Sequence, residues 1–274
     1  MENKIKNALQ NISFEDIIEK SMELPLVKIN RNEFLKKQFA HIVEPETMEM
    51  ILTDGTVKAG IKYSFLDKLA KDAIKQEIIR VTAISAGAGV PGFKLMAATV
   101  PADLVQFYAH VFRIAQKLAY IYGWKELIED EETKNKMVVF LGVMHGVGLA
   151  NKAIMRFAIE KGPIFGARIA RQSLTKTLWY PILKNILRKI GVNVTKKSVK
   201  SAVSKAVPIL GGVASGGVTY FLFKPMANNL ADSLSALSKM TPEEIMEYFE
   251  KDENIIDEED IIEVDFVDVD EENS

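Results

Sequence analysis

"AISAGAGVPGFKLM", residues 83–96, decides how the chain is read. Gly87, Gly89 and Gly92 spell G-x-G-x-x-G after "EIIRV", which could serve as a strand. A dinucleotide loop needs backbone N–H groups at a helix start facing a pyrophosphate, and an acid about 20 residues on to hold the ribose. Pro91 deletes one donor, and the acid's place is taken by "FYAHVFRIA", residues 107–115, which is helical in pattern and lacks a carboxylate. A phosphate-cradling Walker A loop fails too, because Lys94 stands between Phe93 and Leu95 rather than between Gly and Ser or Thr. The glycines therefore read as a break between apolar helices whose small residues let backbones approach closely. Gly142 with Gly146, Gly162 with Gly166 and Gly212 with Gly216 repeat the small-x-x-x-small step.

Outward from this stretch the periodicity is helical. Phe65, Leu66, Leu69, Ala73, Ile74, Ile78 and Val81 recur every three to four residues, as do Leu104, Phe107, Val111, Ile114, Ala115, Leu118 and Ile121. Asp103, just after Pro101, stands where a carboxylate would cap the second of these helices. Helices are expected over 2–20, 133–160, 163–190, 197–223 and 226–239, and "TPEEIMEYFEK" opens another at Thr241. Pro25 and Pro45 mark a connecting stretch, "TDGT" at 53–56 a turn, and Pro225 a break. The expectation is an all-α fold, a compact multi-helix bundle with Gly-rich helix breaks. It divides into an N-terminal helix and connector (1–60), a helical domain (61–240), and a short helix with a disordered acidic tail (241–274).

The 274 residues carry a net charge of −2 that conceals a strong polarity. Residues 151–205 hold thirteen Lys or Arg and one acid, Glu160, whereas residues 241–274 hold sixteen acids and one base, Lys251. A basic middle suggests an anionic partner, and an acidic tail could compete for it. In "SLTKTLWYPILKNILRKIGV", 173–192, Leu178, Ile182, Leu183, Ile186, Leu187 and Ile190 share one side while Lys184, Arg188 and Lys189 lie mainly on the other. Trp179 and Tyr180 are residues that favour a bilayer interface. Lys176, Trp179, Tyr180, Lys184, Arg188, Lys189, Lys196, Lys197 and Lys200 are thus the candidate contacts with an anionic membrane or a membrane protein. The bland alternative is a helix packed on the core with basic solvent-facing residues. The longest uncharged run, Ala206–Phe223, is eighteen residues with Pro208 and four glycines, short of the roughly 20 apolar residues a spanning helix needs.

Chemistry is sparse. No cysteine exists, which removes disulfides and thiolate nucleophiles, and no apolar leader is visible at the start, so a cytoplasmic protein at the inner face of the membrane is expected. His41, His110 and His145 are far apart, without metal-ligand spacing, and His145 in "VMHGVG" reads as a satisfied core residue. Asp103 and Asp232 are the carboxylates beside apolar helices. No metal, cofactor, nucleotide or nucleic acid is expected. Asp103 with His110 would serve only if the chain were an enzyme with a helical lipid pocket, the alternative to a docking protein; a membrane-inserting pore-former is the other.

Pro101-Ala102-Asp103-Leu104, "RIAQKLAYIYGW" at 113–124 and "KAVPILGGVASGGVTYFLFKPMANNLAD" at 205–232 resemble landmarks of the EcsC protein family over residues 64–235. Where that family often has Asn after the later glycines, this chain has Val218-Thr219-Tyr220. The helical segment is also similar to membrane-associated domains beside some bacterial GTPases. The resemblance implies a bacterial, helical, membrane-associated protein, accessory to a transporter, with no catalytic residues to assign.

Overall fold

A computed structural model describes residues 13–85, 102–125, 127, 131–161, 179–190, 216–241, 243, 244 and 247. Among them the chain is all-α, in nine helices and no strand. These are α1 (Phe14–Glu23), α2 (Arg31–Phe39), α3 (Pro45–Asp54), α4 (Tyr63–Ser85), α5 (Ala102–Ile121), α6 (Glu131–Met144), α7 (Gly148–Lys161), α8 (Trp179–Lys189) and α9 (Gly216–Lys239).

The first helix begins at Ser13, whose hydroxyl accepts from the Asp16 N–H at 3.0 Å while the Asp16 carboxylate accepts from the Ser13 N–H at 2.7 Å. This reciprocal cap satisfies two of the donors a helix start leaves open. Phe14, Ile17, Ile18 and Met22 then face inward, with Phe14 edge-on to Tyr108 at 5.4 Å between ring centroids. The expected helix over 2–20 thus appears as Phe14–Glu23, and residues 2–12 lie outside the described ones. The connector expected around Pro25 and Pro45 holds two further helices. Pro45 opens α3 as its first residue, where a missing N–H costs nothing.

Helix α5 is the axis of the fold, packed by α1, α2, α4, α6 and α9. Leu104 through Ile121 are buried except for Gln106 and Arg113, which are half-buried. The apolar stripe read in the sequence is one side of a helix enclosed all round, since Val105, Tyr108, Ala109 and Phe112 on its other sides are also shut from water. It ends at Gly123 (φ 85°), where the Trp124 N–H reaches the Ala119 carbonyl at 3.0 Å and the Gly123 N–H the Tyr120 carbonyl at 3.1 Å. Against this turn rests that of Gly55, on which a Cβ would fall 2.6 Å from the Gly123 carbonyl oxygen. The Thr56 hydroxyl donates to the Ile121 carbonyl at 2.7 Å, and the Arg31 guanidinium to the carbonyls of Trp124, Leu52 and Ile51 at 2.9, 2.7 and 3.1 Å. Residues 13–60 are therefore tied to the end of α5 rather than tethered beside it.

Three boundaries differ from expectation. Residues 133–160 form two helices, because Gly146 (φ 68°) closes α6, with the Val147 N–H on the Gly142 carbonyl at 2.9 Å and the Gly146 N–H on that of Val143 at 2.9 Å. Helix α9 runs through Pro225 without stopping. The proline faces solvent, so the ring meets water and only one backbone bond is forgone. Asp103 sits inside the first turn of α5, which starts at Ala102, rather than at its cap.

Candidate functional site

Two places combine charge with a special environment. The first is internal. Glu77, from the middle of α4, is fully buried, and α5 meets it with His110, Arg113 and Lys117, spaced so that all three share one helix face. The His110 Nδ1 lies 2.6 Å from Glu77 Oε1 and the Arg113 Nε 3.2 Å from the same oxygen. Lys117 Nζ bonds the other oxygen, which Arg80 Nη1 approaches at 3.5 Å. Arg113 also donates to the Leu26 carbonyl, and Gln116 bridges the next segment, donating to the Val27 carbonyl at 2.8 Å and accepting from the Ile29 N–H at 3.1 Å. Burial works against the Glu77 carboxylate, but the His110 hydrogen bond and the Lys117 ammonium outweigh it and bring the pKa down to about 2. Burial lowers the pKa of Lys117, with Glu77 pulling the other way.

A carboxylate on the Nδ1 of a histidine is the arrangement that orients a general base. Here the remaining nitrogen, Nε2, is closed off without a hydrogen-bond partner, and neither described cavity is lined by His110. The cluster ties α4, α5 and the α1–α2 connector together. It offers a substrate no approach through those cavities.

The second place is at the surface. The start of α7 and the end of α8 enclose a cavity of about 420 Å³ lined by Val147, Gly148, Leu149, Lys152, Asn185, Arg188 and Lys189. Three of these side chains are cations and none is an acid. The first turn of α7 adds the positive end of its helix dipole. The sequence places these residues here for separate reasons. Ile182, Leu183, Ile186 and Leu187 bury one side of α8 against α6, which turns Arg188 and Lys189 outward in its last turn. The approach of α8 to α6 is close because Gly142 leaves room, since a Cβ there would lie 2.5 Å from the Ala150 Cβ and 2.8 Å from the Ile182 Cγ2. His145, beside this cleft, is half-buried with its Nε2 shut from solvent and without a partner, so it is not the satisfied core residue expected. Burial and the nearby Lys189 push its pKa down to about 4.

A further cavity of about 460 Å³ between α4 and α9 contains Asp232 together with Asp67, Tyr122 and Ser235. The Asp67 carboxylate accepts from the Tyr122 hydroxyl at 2.8 Å and from the Ser235 hydroxyl at 2.9 Å. Burial opposes its charge, but these hydrogen bonds and Lys239 hold its pKa below the ordinary carboxylate range. Lys239 donates to Ser235 Oγ at 2.7 Å and sits 3.7 Å from Asp67. An ammonium beside that carboxylate favours its charged form and so makes it a weaker base towards the serine hydroxyl.

Of the expected contact residues, Arg188 and Lys189 are exposed and Lys184 half-buried, all on α8. Trp179 and Tyr180 open that helix, with side chains outside the described set; Lys176, Lys196, Lys197 and Lys200 lie outside the described residues, as do Gly87, Gly89 and Gly92. Gly142 serves close helix packing as expected, whereas Gly146 serves a helix end. Gly216 is the first residue of α9, and Gly212 lies outside the described residues. His110 is drawn to Glu77, and the side chain of Asp103 is outside the described set. Sequence reasoning passed over Glu77 and Lys152. A histidine and two cations at 110, 113 and 117 on so apolar a helix were the signal that an anion must face them. Among the described residues no group of three or more His, Cys, Asp or Glu could hold a metal, and no helix is long and apolar enough to cross a membrane.

No protein-family model, no curated protein and no solved structure matches the chain.

Proposed function

We propose that this is a non-enzymatic protein that docks at the inner face of a membrane, its cleft between α7 and α8 taking the phosphate of an anionic lipid headgroup. The observation that carries the reading is the convergence of Lys152, Arg188 and Lys189 on one cavity with no acid among its described lining residues. A phosphate spreads charge over several acceptor oxygens, and a planar guanidinium with two ammonium groups suits it better than a lone cation does. The basic run of residues 151–205 in the sequence adds longer-range attraction to an anionic surface. The resemblance to EcsC landmarks, with its implied place beside a transporter, belongs to the same reading.

Flotation with neutral vesicles and with vesicles containing a phosphomonoester lipid tests it. The wild-type chain should float with the anionic vesicles at low salt, and Arg188→Glu with Lys189→Glu should lose most of that binding. Equal flotation of both proteins would remove the cleft from the function. Protection of the protein by free phosphate without any flotation would reassign it to a soluble anion.

A further inference from the structure

We infer that the exposed aromatic pair at the start of α9, Tyr220 and Phe221 with Lys224 beside it, is an insertion element that enters the bilayer interface. This rests on the docking reading and adds a second contact of different chemistry. Phe221 is 74% exposed and Tyr220 40% exposed, and their rings meet edge to face at 5.7 Å between centroids. Among the described residues the other large apolar side chains that face water, Ile42, Met50 and Ile79, are each single and separated in sequence. Isolated exposures of that kind are ordinary on a protein surface, but a contiguous aromatic pair on one helical turn is not.

The occupant follows from what surrounds the pair. Lys224 lies one turn on, its ammonium 5.2 Å from the Tyr220 ring centroid and 2.8 Å from the phenolic oxygen. No acid occurs from Gly216 through Ala231, and the preceding stretch in the sequence carries Lys196, Lys197, Lys200 and Lys205. A protein groove that received two aromatic rings would equally bury Phe221, but nothing in this charge pattern selects one. An anionic bilayer is selected twice. A tyrosine ring settles at the level of the headgroups, where the phenol stays wet, and a phenylalanine ring beside it enters the acyl boundary just beneath. A lysine stem can lie along apolar surface while its ammonium reaches the phosphates. The inward side of the same helix, Phe223, Met226, Ala227 and Leu230, is fully used by the core, so the pair can enter lipid without unpacking the bundle.

The test places a reporter on the tip. Phe221→Trp is titrated with vesicles of phosphatidylcholine and phosphatidylserine, with and without brominated acyl chains, and compared with wild-type protein, whose Trp124 is buried and whose Trp179 supplies the baseline. The introduced indole should shift to the blue and be quenched beyond that baseline. Tyr220→Ala with Phe221→Ala should lower vesicle partitioning roughly tenfold or more, as the loss of two buried rings implies, and the deficit should persist at high salt. Vesicle-bound protein whose introduced indole is neither shifted nor quenched would overturn the insertion and leave the docking reading standing. A dimer that dissolves on Phe221→Ala would assign the pair to a second copy and overturn it as well. Failure of the wild type to bind any vesicle would remove both.

Discussion

Glu77 and His110 lie on successive helices, thirty-three positions apart in the chain, with Nδ1 and Oε1 2.6 Å from each other inside the bundle. The pair has cationic company from both helices, with Arg80 on α4 3.5 Å from the carboxylate. Arg113 and Lys117 also converge on the carboxylate, so one buried anion holds several positive groups in place. Removing one member of such a set leaves the others charged or unpaired where water cannot reach them. Glu77→Gln is therefore expected to destabilise the fold by about 3–5 kcal/mol, read as a lowered midpoint in urea denaturation. A loss below 1 kcal/mol would mean that the cluster contributes little.

Acidification should weaken the protein in two overlapping stages. The His145 pKa stands at about 4 in the fold against an ordinary 6.5, so the unfolded chain takes up that proton first and stability falls as pH drops from 6.5 towards 4. Lys189 is the charge that faces it. Glu77, at about 2 against 4.5, contributes stability that is lost as pH falls from 4.5 towards 2, with His110, Arg113, Lys117 and Arg80 around it. Melting temperature followed from pH 7 to pH 2 should show both stages. His145→Gln should flatten the upper stage and Glu77→Gln the lower.

Gly142 and Gly146 should respond differently to alanine. At Gly142 the new methyl meets Ala150 and Ile182 at distances real side chains do not tolerate, so α7 and α8 must shift. The cost is expected at about 1–3 kcal/mol. At Gly146 there is space, the nearest atom being the Lys189 Nζ at 3.5 Å, and only the φ of 68° resists. About 1 kcal/mol follows from that strain. Chemical denaturation of the two variants reads the difference. Only Gly142→Ala should also disturb the basic cleft.

The sixteen acids after Met240 are expected to compete for the cleft cations. Ending the chain at Met240 should raise binding to anionic vesicles, most at low salt, where screening is weakest. Unchanged binding would free the tail from any part in docking.

Much of the bundle was legible because its signals are local. Helices α4 and α5 follow from apolar spacing, and the rejected phosphate loop follows from Pro91 and a missing acid. What escaped depends on the third dimension. Pro45 reads as an interruption until its place as the first residue of α3 is known. Pro225 reads as a stop, yet on a solvent-facing position it costs one bond and the helix continues. Gly146 lies in a run apolar enough for one helix, and only its φ shows the chain turning back. Glu77, in "KQEIIR", has the look of a surface residue. Its burial is set by cations arriving from a helix whose start is twenty-five residues further on. Arg188 and Lys189 were visible as a basic face, but Lys152 joins them only through the α6–α7 turn.

Helix α5 is enclosed by partners that come from both earlier and later in the chain. On the ribosome, α1 and α2 are synthesised well before the surface they rest on, and Phe14, Ile17 and Ile18 leave the exit tunnel with nothing to cover them. The final closure waits for α9, which is made after the other helices it packs against.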